Sequence, residues 1–419
     1  MTETPHETSP GVWLSDDRPG TRSAASASRR KKICMLSHNN YETDNRVRRY
    51  AEALAKRGDH VDVIALSGGQ VPLGMETING VNVFRVQHRN RDERHKWTHA
   101  WRTMRFLLVS STVLTRLHFR VRYDVIHVHN LPDFLVFAAW YPKLTGTKLI
   151  LDIHDLMPEL FASKFGTRSN DRNVRLLRWI EKASTAFANH VIVSNDLWRE
   201  TLTKRSVRNE KCSVFLNHVD PALFYRRVRT RRDGKFIVLF PGSFQWHQGL
   251  DIAIEAFAKL KERVPNAEFH IYGGGNLQPD LVRLVESLGL QDRVKFCGSV
   301  SLDQVADIMV NADMGVVPKR ADSFGNEAYS TKIMEFMSQG IPVVASRTKI
   351  DTFYFDDSVV RFFKSGDSQA MAEAMLELIE NPAMREARVR RGYEYVDRNH
   401  WDRRKGEYLE LVDGLSRAR

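Results

Sequence analysis

The sequence has few cysteines and no long hydrophobic segment. Its 419 residues include three cysteines, Cys34, Cys212 and Cys297, which lie far apart in the chain. This spacing excludes a disulfide framework and a paired-cysteine zinc site, and it favours a reducing compartment. The longest apolar run begins at Phe106 and is shorter than the roughly 18 residues that a membrane-spanning helix needs. We therefore expect a cytoplasmic protein that does not cross a membrane.

Residues 1–30 are polar, rich in Ser, Pro and Arg, and lack the apolar core of a signal peptide. We predict that they form a disordered tail. The chain as a whole is 42% hydrophobic and 27% charged, which is typical of a globular protein long enough for two or three cores.

Short apolar runs rich in β-branched residues alternate with amphipathic stretches. Examples are KICMLSH, DVIHVHN and HVIVSN in the first half and FIVLFPGSF, MGVVPKR and PVVASR in the second. Such runs suit strands buried on both faces of a parallel sheet, with helices as crossovers, and they predict a doubly wound α/β fold. About eleven runs are too many for one ordinary sheet, so two sheets are expected.

The basic stretch YRRVRTRRDGK predicts a surface connection before a new strand. We place the domain junction between about residues 196 and 232, with an N-terminal domain over 31–200 and a C-terminal domain over 201–398. Residues 399–419 have helical periodicity and no strand after them, which predicts a terminal helix that crosses back towards the N-terminal domain.

The stretch EAYSTKIMEFMSQGIPVVAS, residues 327–346, combines charges with helix signals. Ser330 is a candidate N-cap, so Glu335 lies on a short helix and Glu327 in the loop before it. Doubly wound sheets bind ligands at such loops. There a carboxylate accepts hydrogen bonds from sugar or ribose hydroxyls, and Lys332 balances phosphate charge. On spacing alone, a capping Glu335 and a solvated Glu327 are equally open.

The same stretch resembles the E-x7-E region of glycosyltransferase family 4. The match continues in order over about residues 32–415, through DVIHVHN, KLILDIHD, HVIVSND, FLNHVDPALF, PGSFQWHQGLDIAIEAF, AEFHIYGGG and NADMGVVPKR. The resemblance implies the GT-B fold, in which two doubly wound domains face each other across a cleft. It also implies retaining transfer of a sugar from a nucleoside diphosphate sugar without a metal, and the sequence has no D-x-D motif.

The resemblance assigns two carboxylates to the donor site. Glu335 corresponds to the family glutamate that binds the ribose hydroxyls, and Glu327 to the one near the donor sugar, where we expect a catalytic role. Asp322 precedes the tripeptide SFG that often follows the first family glutamate, and it competes with Glu327. The remaining residues expected to contact the nucleotide sugar are Lys332, Gly242, Ser243, Gln248, Gly274, Gly275, Lys319, Asn39 and Asn40.

The sequence departs from the family pattern at Ser243 and Gln248, where many members have an arginine and a lysine. Phosphate charge would then fall on helix N-termini, on Lys332, and on Lys319 or Arg320. A solvated Lys332 is the alternative.

His129 corresponds to a family histidine in the cleft near the donor sugar, and we predict that it is catalytic. The alternative is a buried histidine that joins strand and loop, the role we expect for His127. In the first loop, polar residues replace the family's glycine pair and are candidates for binding acceptor or phosphate: Asn39, Asn40, Asp44 and Arg46.

The net charge of +12 is unevenly distributed. Residues 85–122 contain ten Lys or Arg against two acidic residues, with Trp97, Trp101, Met104 and Leu108 at helical spacing. This combination favours contact with an anionic membrane surface, although the apolar residues could instead be domain core. No motif resembles a nucleic-acid-binding module, so no nucleic-acid partner is expected.

These observations predict a glycosyltransferase, peripheral on the inner face of the plasma membrane, that acts on a lipid-linked glycan in bacterial cell-surface polysaccharide synthesis. Three alternatives stay open: a transferase with a soluble small-molecule acceptor, a sugar-nucleotide epimerase, and a non-catalytic protein that binds nucleotide sugars.

Overall fold

The structure is a computed structural model that describes residues 29–417, except residues 70, 90–95 and 167–169 and the side chains of Lys96, Trp97 and His99. The prediction of a disordered tail falls on residues 1–28, which lie outside this range.

The first part of the chain alternates strands and helices. Its strands are β1 (Lys32–Asn40), β2 (His60–Ser67), β3 (Gly74–Ile78), β4 (Val81–His88), β5 (Val125–His129), β6 (Lys148–Ile153), β7 (His190–Val193) and β8 (Cys212–Val214). Its helices are α1 (Asn45–Arg57), α2 (Lys96–Val121), α3 (Trp140–Leu144), α4 (Met157–Phe165), α5 (Arg172–Phe187) and α6 (Asp196–Arg205). Within the described residues these strands form one sheet in the order β3-β4-β2-β1-β5-β6-β7-β8, parallel except for β3.

The second part repeats this alternation. Its strands are β9 (Phe236–Pro241), β10 (Ala267–Tyr272), β11 (Val294–Gly298), β12 (Met314–Val317), β13 (Val343–Ser346) and β14 (Arg361–Phe363). Its helices are α7 (Leu250–Leu260), α8 (Gln278–Ser287), α9 (Leu302–Val310), α10 (Thr331–Ser338), α11 (Lys349–Tyr354), α12 (Ser368–Glu380) and α13 (Pro382–Asn399), followed by α14 (Trp401–Arg417). The sheet is wholly parallel, in the order β11-β10-β9-β12-β13-β14.

We call the first sheet with α1–α6 and α14 the first lobe, and the second sheet with α7–α13 the second lobe. In each sheet the strand order reverses beside the first strand, between β1 and β5 and between β9 and β12. Ligands of doubly wound sheets bind at the carboxyl ends of the strands at this reversal. The prediction of two doubly wound α/β sheets is confirmed.

Both faces of the first sheet are buried, which explains its continuous apolar runs. Along β1, Cys34 and Leu36 pack into the cluster on one face, whereas Ile33 and Met35 pack into the cluster on the other. All four side chains are fully buried. Each buried side chain of this size contributes about 1.5–3 kcal/mol of hydrophobic stabilisation, so these four residues anchor β1 between the layers on its two faces.

The predicted boundary at residue 200 is wrong. It would divide α6 and assign β8 to the second lobe, although β8 pairs with β7 in the first sheet. Three residues of strand are too short to stand out in the sequence. The chain passes to the second sheet between Val214 and Phe236.

Helix α14 packs on the first lobe although it follows the second. Tyr408 is fully buried, its ring lies 4.1 Å from that of Tyr50, and its hydroxyl is 2.9 Å from Nδ1 of His127. Trp401, at the start of the helix, donates its backbone N–H to the Val219 carbonyl at 3.0 Å. The terminal helix therefore covers one face of the first sheet.

Candidate active site

Closely packed backbone forms the loop after β9. Phe244 donates its N–H to the Gly274 carbonyl at 3.0 Å. A Cβ on Gly273 would overlap the carbonyl oxygen of Gly242, and one on Gly275 would lie 2.6 Å from that of Phe244. The glycines after β10 thus let two loops touch at the strand reversal. A Cβ on Gly274 would meet only a distant serine oxygen, so Gly274 is the position in this run with space beside it.

Lys332, in the first turn of α10, extends over the β9 loop. A Cβ on Gly242 would lie 2.8 Å from its Cε, and its Nζ donates to Oε1 of Gln248 at 3.0 Å. Burial lowers the pKa of Lys332 to about 8, which the nearby Glu335 carboxylate opposes. The structure therefore brings together Gly242, Gln248 and Lys332, with Ser243 exposed beside them.

Lys319 and Arg320 support loops instead of facing the site. Lys319 is 3% exposed, and its Nζ lies 2.8 Å from Asp351 and 2.6 Å from the Ala328 carbonyl. Arg320 makes two bonds of 2.8 and 2.6 Å to Asp251, with its guanidinium 3.6 Å from the Trp246 ring centre. A buried carboxylate already holds the ammonium of Lys319, so this geometry does not favour phosphate contact, which stays a prediction.

A cavity of about 300 Å³ lies between the lobes. Side chains from both lobes line it, among them Asn39, Arg46, Arg49, His154, Asn217 and Glu335. Burial raises the pKa of Glu335, while Lys332, a hydrogen bond from Thr331 and the charge of Arg49 act in the opposite direction. Glu335 therefore faces polar groups of the first lobe across the cleft.

The two candidates for the sugar-facing carboxylate differ in their partners. Asp322 accepts backbone N–H groups of Phe324 and Gly325 at one oxygen, and the Ser163 hydroxyl at the other, 3.0 Å away. Among the described residues, Glu327 has one charged partner, the exposed Lys349, whose Nζ lies 3.5 Å from its carboxylate. Its backbone carbonyl accepts from Asn195 of the first lobe at 3.0 Å. The geometry favours Glu327, whose role stays a prediction.

His129 does not line the cavity. It is fully buried, with Nδ1 3.3 Å from Asp152 and 3.1 Å from Nε2 of His154, and its ring stacks on His127 at 4.2 Å. Burial lowers its pKa. His129 thus belongs to a buried cluster beside the cleft, its Nε2 has no hydrogen-bond partner among the described residues, and its catalytic role stays a prediction. His154, which follows β6, reaches the cavity instead.

The signal for His154 was present in the motif KLILDIHD, where a histidine directly follows a buried strand. Asp152, just before it, is fully buried and accepts two 2.8 Å hydrogen bonds from Arg46. This pairing holds the pKa of Asp152 well below its usual range despite burial. The sequence therefore missed both His154 and the ion pair behind it.

The side chains of the two asparagines that end β1 have different surroundings. Asn39 lines the cavity and is held by Asp44 at 3.2 Å and Arg89 at 2.7 Å. The Asn40 side chain packs against Gly68, where an added Cβ would lie 2.7 Å from its Nδ2. Successive residues of a strand point to opposite faces, so Asn39 alone of the two lines the cavity, and ligand binding by Asn40 stays a prediction.

Comparisons with known proteins agree with this architecture. Residues 43–218 match the family profile described as "Glycosyl transferase 4-like domain", and residues 223–395 match "Glycosyl transferases group 1". The chain is 30% identical over 365 residues to phosphatidyl-myo-inositol mannosyltransferase of Mycobacterium leprae, covering 84% of this chain and 87% of that protein. The chain belongs to the family 4 glycosyltransferases.

Other relatives of this glycosyltransferase include an uncharacterised glycosyltransferase of Methanocaldococcus jannaschii, 28% identical over 71% of this chain and 74% of the relative. Among solved structures, sucrose-phosphate synthase from Thermosynechococcus elongatus superposes with a TM-score of 0.77 at 20% identity, covering 93% of this chain and all of that one. Anabaena HepE in complex with UDP gives 0.66 at 17% identity, covering 91% and 100%. The predicted GT-B fold is confirmed.

One cluster of this glycosyltransferase has the donor atoms of a metal site. Ligand atoms of His127, His129 and Asp152 lie within 4.8 Å of one another. However, Arg46 already bonds both oxygens of the Asp152 carboxylate. A dication beside this buried guanidinium would meet like charge, so the cluster fits a structural ion pair better than a metal. That the glycosyltransferase works without a metal stays a prediction.

The long helix α2 exposes the apolar residues predicted to contact a membrane. Trp101 is 68% exposed, Leu108 60% and Met104 43%, whereas Phe106 and Leu114 are fully buried. The alternative that the predicted stripe is domain core is therefore wrong for these three residues. The Trp97 side chain lies outside the described residues. None of the described helices is long and apolar enough to cross a membrane.

Proposed function

We propose that this glycosyltransferase moves a sugar, with retention of configuration, from a nucleoside diphosphate sugar to a lipid-linked glycan at the inner face of the plasma membrane. In this proposal it is a cytoplasmic, peripheral enzyme of cell-surface polysaccharide synthesis. The observation that carries the choice of acceptor is the outer face of α2, defined by the exposed residues Trp101, Met104, Arg105, Leu108, Arg116, Phe119 and Arg120.

The composition of this α2 face suits an anionic bilayer. Its exposed apolar side chains follow each other at intervals of three or four residues from Trp101 to Leu108, with arginines beside them. Trp, Leu and Met can enter the headgroup region while arginines stay at its surface, and each basic residue near an anionic leaflet adds about 1 kcal/mol. A helix of 26 residues is about 39 Å long, so the face can lie flat on a membrane.

The names of relatives support a lipid acceptor. The Mycobacterium leprae relative is named for phosphatidyl-myo-inositol, a lipid. A relative from Erwinia amylovora, 27% identical over 45% of this chain and 46% of its own length, is named for amylovoran biosynthesis.

In this proposal the second lobe binds the donor. Glu335 accepts hydrogen bonds from the ribose hydroxyls, and Lys332 and the β9 loop neutralise the diphosphate. HepE, whose structures contain UDP and UDP-glucose, supports a nucleotide sugar as donor. Glu327 positions the sugar while the acceptor attacks from the side that the diphosphate leaves, and the leaving phosphate accepts the acceptor proton.

Vesicle flotation tests the acceptor side. We expect the protein to float with vesicles containing anionic lipid and less with zwitterionic ones. Trp101→Glu combined with Leu108→Glu should abolish flotation, because both side chains would carry charge into the headgroup region. Phe353→Glu is the matched control, since Phe353 is 56% exposed on the second lobe. Equal flotation of the double variant and wild type would contradict the proposal.

A soluble acceptor is the second candidate, and the cavity favours it. A polar space of about 300 Å³ between the lobes suits a small acceptor. The relative from Streptomyces kanamyceticus is named alpha-D-kanosaminyltransferase and is 26% identical over 64% of this chain and 72% of its own length. Donor turnover that needs a soluble acceptor and no vesicles would favour it. Turnover without any acceptor indicates an epimerase, and binding without turnover indicates a non-catalytic relative.

A further inference from the structure

Arg49, on α1, is a buried cation that faces the cavity without a carboxylate partner. It is 8% exposed and lines the cavity wall. Its Nη2 donates to the side-chain oxygen of Asn217, and its Nε has no acceptor among the described residues. Its guanidinium carbon lies 5.6 Å from the Trp401 ring centre. Polar groups buried in this way usually have partners, so the unpaired nitrogen requires an explanation.

Glu335 lines the same cavity from the second lobe, whereas Asp44, Asp220 and Arg46 are engaged in other contacts. Asp44 accepts the Val47 N–H that begins α1, and Asp220 accepts the Ala222 N–H in a turn. Arg46 is bonded to Asp152 and to the Phe215 carbonyl. Arg49 thus carries the positive charge in this cavity that no carboxylate holds within the described residues. Burial lowers its pKa to about 10, and Arg46 adds to this while Tyr50, Asp220 and Asp44 oppose it.

The second lobe is short of cations at the same cleft. Ser243 and Gln248 are neutral, and Lys319 and Arg320 are held by Asp351 and Asp251. Lys332 is then the remaining cation of that loop cluster, whereas a diphosphate carries at least two negative charges. A planar guanidinium binds two phosphoryl oxygens through parallel N–H groups in a fixed geometry that the ammonium of a lysine does not provide.

We propose that Arg49, with Asn217 beside it, binds a phosphoryl group in the cavity between the lobes. This rests on the proposed function, in which the donor is a nucleoside diphosphate sugar. The phosphoryl group belongs either to the donor diphosphate, where Arg49 complements Lys332 from the opposite lobe, or to a phosphate of the acceptor. The chemistry is the same in both cases.

Inorganic pyrophosphate and inorganic phosphate test the site without knowledge of the base or the sugar. Their affinities are measured by calorimetry at constant ionic strength for wild type, Arg49→Gln, Arg49→Lys and Lys332→Met. Arg48→Gln is the matched control, because Arg48 is the next residue of α1 and contacts Glu52 instead. We expect Arg49→Gln to weaken pyrophosphate binding by about tenfold or more, as hydrogen bonds to charged groups contribute that much, and Arg48→Gln to leave it unchanged.

The anion affinities of the variants show whether the phosphoryl group belongs to the donor or to the acceptor. Loss of pyrophosphate binding in both Arg49→Gln and Lys332→Met indicates the donor diphosphate. Loss of phosphate binding in Arg49→Gln alone indicates an acceptor phosphate. If Arg49→Gln does not fold, Arg49→Lys decides by the same criterion, because it keeps the charge and loses the planar fork.

Two results overturn the inference: wild type binds neither anion, or Arg49→Gln binds both as wild type does. Sugar transfer by the wild type is measured separately. If the wild type transfers sugar but substitution of Arg49 does not change anion binding, the inference about Arg49 is wrong and the proposed function stands. Absence of both nucleotide binding and transfer in the wild type removes the proposed function.

Discussion

Replacing Lys332 with methionine should make the unliganded protein more stable. The ammonium of Lys332 lies in the cleft, with an amide oxygen of Gln248 at 3.0 Å and the Phe240 ring centre at 5.5 Å. Among the described residues it has no carboxylate within ion-pair distance. Burial therefore lowers its pKa to about 8, which means that the folded state pays for keeping it charged at neutral pH. Methionine fills similar space without the charge.

The magnitude follows from the two pKa values. A fall from 10.5 to about 8 corresponds to about 3 kcal/mol of lost unfolding free energy at pH 7. Loss of the hydrogen bond to Gln248 offsets about 1 kcal/mol of the gain in the variant. Partial access of water to Lys332 lowers the penalty of its charge in the wild type, and so lowers the gain further. We expect Lys332→Met to be more stable by about 1–2 kcal/mol, or by a few degrees in melting temperature.

The pH dependence has a definite sign. Below pH 8 the lysine is charged in both folded and unfolded chains, so the folded wild type bears the full penalty. Between pH 8 and 10.5 the folded chain loses its proton first, and wild-type stability rises relative to the variant. The difference in stability between the two proteins should therefore be greatest near pH 7 and shrink towards pH 10.

Urea unfolding at pH 7 and pH 10 measures this difference. Lys364→Met, at an exposed lysine of the same lobe, is the control. Its unfolding free energy should lie within about 0.5 kcal/mol of that of wild type. In a second assay, UDP should stabilise wild type and not Lys332→Met. A variant less stable than wild type at pH 7, or a difference that does not change with pH, would refute the reasoning.

Three other substitutions have defined outcomes. Glu335→Gln should weaken binding of a nucleoside diphosphate by about 10- to 100-fold in calorimetry, since charge-assisted hydrogen bonds are lost; unchanged affinity would contradict the assignment. Lys319→Met should lower the unfolding free energy by about 3–5 kcal/mol in urea, because it leaves the Asp351 carboxylate buried without its partner. Gly273→Ala, at φ +134° and against the Gly242 carbonyl, should cost about 2–4 kcal/mol in the same assay. An unfolding free energy equal to that of wild type would mean that the two loops do not touch.

The sequence predicted the sheets well and side-chain directions less well. Strands such as β1 and β9 were recognisable because continuous apolar runs are required when both faces of a strand are buried. The strand β8, with three residues, carries too little of that pattern, and the domain boundary was misplaced for this reason.

Chain direction alone was enough to place two of the candidate site residues, whose binding roles stay predictions. Glu335 and Lys332 lie near the start of α10, at the ligand-binding end of the second sheet. The sequence did not show the buried carboxylates that His129 and Lys319 contact. Asp152 and Asp351, their partners, are 23 and 32 residues away in sequence. Such long-range pairs appear only when the fold is known.

Because α14 packs on the first lobe, the last helix of the chain moves with that lobe although it follows the second lobe in sequence. The chain crosses between the lobes twice, after Val214 and again before Trp401, and the bond from Trp401 to Val219 ties the two crossings together. We expect the lobes to move relative to each other about this double hinge. A fluorophore at the end of α14 would travel with the N-terminal sheet, so its distance to a label on α8 would measure how far the cleft opens.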